Sequence, residues 1–398
     1  MNEHSVLIAG LILSIASIVA MLCHRLRLPY SVGLVLAGIG LALSPYSLDL
    51  PLSRELIFTV FLPPLIFEAS LHLKWRELAR DLPVTMMLAF PGVAIATAVV
   101  AAGAHYLLGW SWIAAGLFGA LIAATDPVSV IAAFRAMDVE PRLGRVVETE
   151  SLLNDGTAAV AFSILVAIAL GAQATATSVG MMFAWTVVGG VVIGAVVAGV
   201  LLLIAGRTED HLVEISLTMI AAYASFLLAD HFEMSGVLAT LTAGLLFGNL
   251  GWLGPISEGG RSHVHSFWEY AAFLANSIIF LLIGGEVIGQ PLSGFLVTSA
   301  IAILLVLLGR ALAVYPLCAL FAPTRLRVTL KHQHVLFWGG LRGALALALA
   351  LALPAQITER QEIIIVAFAV VAFSIFVQGL TMPLLMRRLQ AAQQSQGG

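Results

Sequence analysis

The sequence predicts an all-α polytopic membrane protein of thirteen transmembrane helices, and three observations lead there. Mean hydropathy is +1.02, with 60% hydrophobic and only 10% charged residues among 398. Soluble domains carry roughly 25% charged residues, so a soluble core is excluded. Apolar runs close to the ~20 residues that cross a bilayer recur thirteen times, and the cations fall on alternate connections between them.

The chain opens without the cations that precede the apolar run of a signal peptide. Met1 to His4 carry none, and Arg25 and Arg27 follow span 1 (5–22), so that span is expected to be retained with its N-terminus outside. Span 2 (29–45) is apolar, and span 3 (52–71) carries Pro63, Pro64 and then Glu68, placed near the inner approach. After span 4 (83–107), span 5 (110–135) reads LIAATDPVSVIAAF around Pro127. Proline removes a backbone donor and disrupts the preceding turn. Span 6 (146–170) begins VVETESLLNDGTAAV, the most charged apolar run. Spans 7 (180–205), 8 (211–229) and 9 (235–250) keep their charges at the ends. Span 10 (263–288) holds Asn276, expected to make a helix-to-helix hydrogen bond, and span 11 (293–320) holds Arg310 as its one deep charge. Span 12 (331–353) reads FWGGLRGALAL, with Gly339, Gly340 and Gly343 around Arg342. Clustered glycine permits non-helical backbone. Span 13 (362–386) closes a single transmembrane domain, 1–389, and 390–398 is expected to be a short disordered cytosolic tail.

With the N-terminus outside and the C-terminus inside, the inner connections receive Arg25, Arg27, Lys74, Arg76, Arg80, Arg135, Arg142, Arg145, Arg207, Arg261, Arg325, Arg327, Lys331, Arg387 and Arg388, 15 of the 19 cations. The outer ones receive Arg54 and Arg360. This is the positive-inside asymmetry, and it supports the count. Thirteen also suits two inverted six-helix repeats around a linker span, with broken helices at matching positions marking the site. Spans 5 and 12 match in this register, and both are interrupted beside a charge.

A charge at mid-bilayer costs at least about 2.5–3.5 kcal/mol, so the deep ones are candidates for function: Asp126, Asp155, Arg310 and Arg342, with Glu148 and Glu150 nearer the inner end of span 6. At about 100° per residue, Asn154, Ser151, Asp155 and Glu148 lie roughly 40°, 100°, 140° and 160° from Glu150, on one face. A small alkali ion is hard and prefers oxygen ligands. Asp155 would supply the charge, and Ser151, Thr125 and freed carbonyls of span 5 the neutral oxygens. One carboxylate that holds either a proton or a cation, in a site facing one side at a time, is an exchanger. Arg310 is expected to pair with Glu150. Arg342 is expected to offset carbonyl-rich half-helix ends or Asp126, whose carboxylate would face the N-terminal end of a half-helix. Two isolated cysteines, Cys23 and Cys318, make neither a disulfide framework nor a metal site.

Rival classes fit less well. A sodium-coupled organic-anion symporter would want a roomier site without the Glu150–Asp155 cluster. A hydrolase would want a Ser–His pair, HExxH or paired aspartates. A channel would be told apart by simple voltage-driven conduction.

The segments FLPPLIFEAS (61–70), ATDPVSV (124–130), ESLLNDGTAAV (150–160), SFWEYAAFLANSIIFLLIG (266–284) and GGLRGALAL (339–347) resemble the sodium–proton exchangers of the NhaP and animal NHE type. The resemblance covers nearly the whole chain. It implies a homodimer in the cell membrane, with interleaved core and dimerisation subdomains and a role in pH homeostasis. The partners implied are monovalent cations, protons and membrane lipid, without nucleic acid and without a cofactor other than the transported ion. It implies that Asp155 binds the transported cation and the proton, that Thr125 and Ser151 are its other ligands, and that Glu150 and Arg310 form the buried pair; Asp126 is counted with the ion-binding residues as a deep charge beside the interruption. Asn154 resembles the asparagine of the electroneutral branch. The long regulatory tail of the animal proteins has no counterpart in this sequence.

Overall fold

The computed structural model describes residues 3–26, 28–44, 53–128, 130–131, 134, 140–172, 175–207, 209–250 and 256–394. Arg27 and Arg135, two of the inner-side cations, and 395–398 of the expected tail lie outside the described residues. The described residues form helices and no strand, and seven helices are long and apolar enough to cross a membrane. The protein has an all-α polytopic membrane fold.

Helix limits follow the apolar runs and depart from them at polar ends. The run expected from 83 belongs to a helix that starts at Trp75, turns at Phe90, and continues through Pro91–Gly103. Its first turns carry Glu77, Arg80 and Asp81, so hydropathy stops short where the backbone does not. Burial there is made tolerable by pairing, since Arg142 Nε donates to Asp81 Oδ1 at 2.9 Å. At the other end, Leu380–Gln394 is helical, so the tail expected to be disordered from 390 keeps a helical backbone to 394.

Packing sorts the helices into two groups. In the first, Glu3–Leu26, Tyr30–Ala42, Leu62–Leu71, Ala176–Ala205, His211–His231, Gly236–Leu250 and Glu258–Gly289 lie on one another. Glycine closes these contacts. A Cβ on Gly38 would strike the carbonyl of Leu281, one on Gly284 that of Val35, and one on Gly194 that of Ala239. Without a hydrophobic drive in lipid, such close backbone approach is what holds helices together. Buried polar groups in this group are paired between elements: Trp268 Nε1 donates to Thr218 Oγ1 at 2.9 Å, and Glu214 accepts from the amide and hydroxyl of Ser257. Tyr30 Oη and Ser277 Oγ meet at 2.8 Å, so the interhelical bond expected of Asn276 is made by its neighbour.

The second group comprises Trp75–Ala89, Pro91–Gly103, Trp112–Ala123, Pro141–Ala169, Leu296–Leu320, Leu330–Trp338, Ala344–Leu351, Arg360–Phe373 and Leu380–Gln394. Both interruptions, at 124–127 and 339–343, lie in it.

Candidate cation-binding site

Trp112–Ala123 ends four residues before Pro127, and the backbone through 124–127 is not helical. Leu330–Trp338 ends at Gly339, and helix resumes at Ala344. The two interruptions touch. Asp126 N–H donates to Leu341 O at 2.8 Å, and Arg342 Nη1 donates to Ala123 O at 2.7 Å and Ala124 O at 3.1 Å. As expected, the backbone through the glycines of the second interruption is not helical. Among the described residues, positive φ at glycine occurs at Gly109 and Gly171, not here. What the interruption uses is the missing side chain: a Cβ on Gly340 would press on the Arg310 guanidinium, and one on Gly343 on the Asp126 carboxylate.

Pro141–Ala169 brings its polar face against these segments. Thr125 N–H donates to Asp155 Oδ1 at 3.1 Å. Thr125 Oγ1 and Ser151 Oγ meet at 2.9 Å, and Ser151 Oγ also donates to Thr125 O. Asn154 Nδ2 bridges Thr125 Oγ1 at 3.3 Å and Glu150 Oε1 at 2.9 Å. Its Oδ1 is buried and has no hydrogen-bond partner among the described residues. Asp155 and Asp126 are half-buried, whereas Thr125, Ser151, Asn154 and Glu150 are buried. Asp126 accepts from Val128 N–H at 2.9 Å, two residues on, at the start of the backbone that follows Pro127.

The charges divide into paired and unpaired. Arg310 Nη1 and Nη2 grip Glu150 Oε1 and Oε2 at 2.7 and 3.0 Å, a two-pronged bond in which both partners are buried. Arg310 also donates to Leu336 O, the carbonyl left open where Leu330–Trp338 ends. A buried pair of this geometry offsets the desolvation of both ions without necessarily stabilising the fold. Asp155 and Asp126 join no ion pair among the described residues. Glu150 is therefore neutralised by its partner, and Asp155, little more than one turn further along the same helix, is left as a carboxylate surrounded by hydroxyl and amide groups.

Two expectations change. The carbonyls freed by the first interruption are not open: Arg342 takes those of Ala123 and Ala124, and Ser151 that of Thr125. An unsatisfied carbonyl in an apolar interior is costly, and a guanidinium supplies several donors at once. Arg342 thus caps carbonyls rather than pairing with Asp126. Glu148 shares the helix face but not the site. Seven residues, roughly 10 Å of helix, separate it from Asp155, and it lines a cavity of about 40 Å³ with Glu77, Asp81, Arg145 and Thr149.

Sequence reasoning passed over Gln378 and Asp81. Gln378 is buried in a π-helical turn, Ser374–Gly379, and donates to Trp338 O at 3.2 Å, the last carbonyl before the second interruption. The available signal was one amide deep in span 13, one turn after Ser374.

Residues 11–388 match the family model described as "Sodium/hydrogen exchanger, transmembrane". The Na(+)/H(+) antiporter ApNhaP of Aphanothece halophytica is 38% identical over 389 residues, covering 97% of this chain and 74% of that protein. The low-affinity Na(+)/H(+) antiporter NhaS1 of Synechocystis is 39% identical over 394 residues, with 97% and 74% covered. Among solved structures, the sodium proton antiporter MjNhaP1 of Methanocaldococcus jannaschii superposes with a TM-score of 0.76 at 22% identity over 95% of this chain and all of that one, a likeness of fold.

Proposed function

This chain belongs to the transmembrane sodium/hydrogen exchanger family, and from that premise we propose that it exchanges one sodium or similar monovalent cation for one proton at Asp155. Sodium–proton exchange is the activity that its antiporter relatives carry in their names, and the symporter alternative is not favoured.

The observation that carries the residue assignment is the contrast along one helix: Glu150 is bound by Arg310, while Asp155 faces Thr125 and Ser151 without a cation of its own. Cation binding at Asp155 places a hard ion among the oxygens of Asp155, Thr125 and Ser151, the donor set such an ion prefers. Protonation of the same carboxylate removes the charge that holds the ion, so the two ligands exclude each other. Asn154 cannot titrate, and a guanidinium stays charged at any working pH. One site then carries one positive charge in each direction. The one-for-one count requires that Asp126, which stands beside that site and accepts from the Val128 amide, keeps its protonation state through the cycle.

Alternating access completes the reading. The second helix group is the moving core and the first the dimerisation unit of a homodimer. The chain has thirteen spans in two inverted repeats, with spans 5 and 12 as crossed discontinuous helices. Helix at each of the thirteen apolar runs, and contact between the two interruptions, support this. The N-terminus is outside and the C-terminus inside the cell membrane, so cysteines introduced near the two ends should label from opposite faces of intact cells. Labelling from one face would mean a miscounted span.

The stoichiometry is tested in proteoliposomes, following sodium-driven dissipation of a pH gradient at clamped membrane potential. The equilibrium position should not move with voltage. A voltage-dependent equilibrium would exclude one-for-one exchange.

A further inference from the structure

Residues 352–359 join Ala344–Leu351 to Arg360–Phe373, and at this junction Glu359 and Arg360 meet the ends of Trp112–Ala123 and Ala344–Leu351 that are remote from Asp155. Trp112–Ala123 begins at Ser111, whose hydroxyl caps the helix by accepting from Ala114 N–H at 3.3 Å. The N–H of Ser111 itself donates to Glu359 Oε1 at 2.8 Å. At the end of Ala344–Leu351, Arg360 Nε donates to Leu353 O at 2.8 Å and Nη2 to Leu351 O at 3.4 Å. Two adjacent residues thus place a carboxylate on the positive end of one half-helix and a guanidinium on the negative end of the other, the sign that helix dipoles favour at each. Burial alone would raise the Glu359 carboxyl, but the Ser111 amide, its own backbone amide and the Ser111 hydroxyl together outweigh it and hold the group below its usual range.

The same two helices converge at their other ends on the candidate site. Past Ala123, Thr125 N–H reaches Asp155, and ahead of Ala344, Gly343 lies against the Asp126 carboxylate. They pack on each other between these points. At 1.5 Å per residue they are rods of roughly 18 and 12 Å, stiff enough to carry a displacement from one end to the other.

We propose that Glu359 and Arg360 are positioning residues, a carboxylate–guanidinium clamp that fixes the remote ends of Trp112–Ala123 and Ala344–Leu351 and so sets where Thr125 and Asp126 stand relative to Asp155. The clamp touches neither cation nor proton. It rests on the exchange reading for its readout, since it acts through ligand placement and predicts a change in apparent affinity for sodium rather than a loss of folded protein.

The test compares purified, reconstituted variants at equal folded amount, measuring sodium-dependent proton flux over a range of sodium concentrations. Arg360→Met and Glu359→Ala remove the donors and the acceptor. Each should raise KM for sodium roughly tenfold, the equivalent of about 1.4 kcal/mol for one lost bond to a charged group, with maximal rate changed far less. Arg360→Lys keeps one donor and Glu359→Gln keeps the acceptor, so both should lie close to the parent. If Arg360→Met does not fold, Arg360→Gln replaces it and should give an intermediate KM. A lower melting temperature or maximal rate with parental KM overturns the clamp. The parent in the same vesicles separates the two failures, because absence of sodium-dependent proton flux there refutes exchange itself, whereas parental KM in folded variants refutes the clamp alone.

Discussion

Both helix groups meet the problem of cohesion without water by close backbone approach at glycine, as Gly119 against Thr97 O shows for the second, but the second adds another means. The first brings backbones together at glycines such as Gly38, Gly194 and Gly284, and its buried polar groups bond from one intact helix to the next element. The second interrupts two helices and closes the breaks with side chains: Arg342 on Ala123 and Ala124, Arg310 on Leu336, Gln378 on Trp338. Breaking a helix in an apolar interior exposes donors and acceptors that must be met, and the groups that meet them bring charge to the middle of the bundle. What differs is therefore the function each can support. A glycine seam holds shape, whereas a capped break also leaves a carboxylate without an ion-pair partner beside hydroxyls that bond to one another.

The sharpest way to break this comparison is at Asp155. Asp155→Asn removes proton site and counter-charge together while keeping size and the acceptor for Thr125 N–H. Exchange in proteoliposomes should fall to the level of empty vesicles, with the melting temperature near that of the parent. Substantial residual exchange would move the site elsewhere.

The next effect is on stability. Glu150→Gln or Arg310→Met alone leaves an unpaired buried charge and should cost about 3–5 kcal/mol, read as lost folded yield and melting temperature. The double substitution should recover much of that loss. If single and double variants melt like the parent, the pair does not hold these helices together.

The smallest effect sharpens the comparison most, because one substitution is made in both groups. Gly343→Ala and Gly284→Ala each place a methyl group in occupied space, against Asp126 and against Val35 O respectively. Overpacking should destabilise both by about 1–3 kcal/mol. At equal folded amount, Gly343→Ala should also weaken sodium affinity, and Gly284→Ala should leave it unchanged. The same KM in both variants would erase the distinction between seam and site.

Much of this was legible in the sequence. Composition fixes the solvent, because 10% charge cannot cover a water-facing surface. Helix period places Glu150, Ser151, Asn154 and Asp155 on one face, because residues three to five apart share a side of a helix. Pro127 and the glycines around Arg342 mark the interruptions, because proline lacks a donor and glycine lacks bulk. Tertiary structure alone decided which partner each charge takes. Arg342 had two candidate partners in sequence and takes carbonyls, Glu148 shares a face with Asp155 but lines a separate cavity, and Arg360, counted as a loop cation, closes a half-helix. The reason is reach. A guanidinium bonds whatever acceptor lies within about 3 Å, and acceptors from residues more than 200 positions away, as Ala123 is from Arg342, are brought that close only by the packing of the helices that carry them.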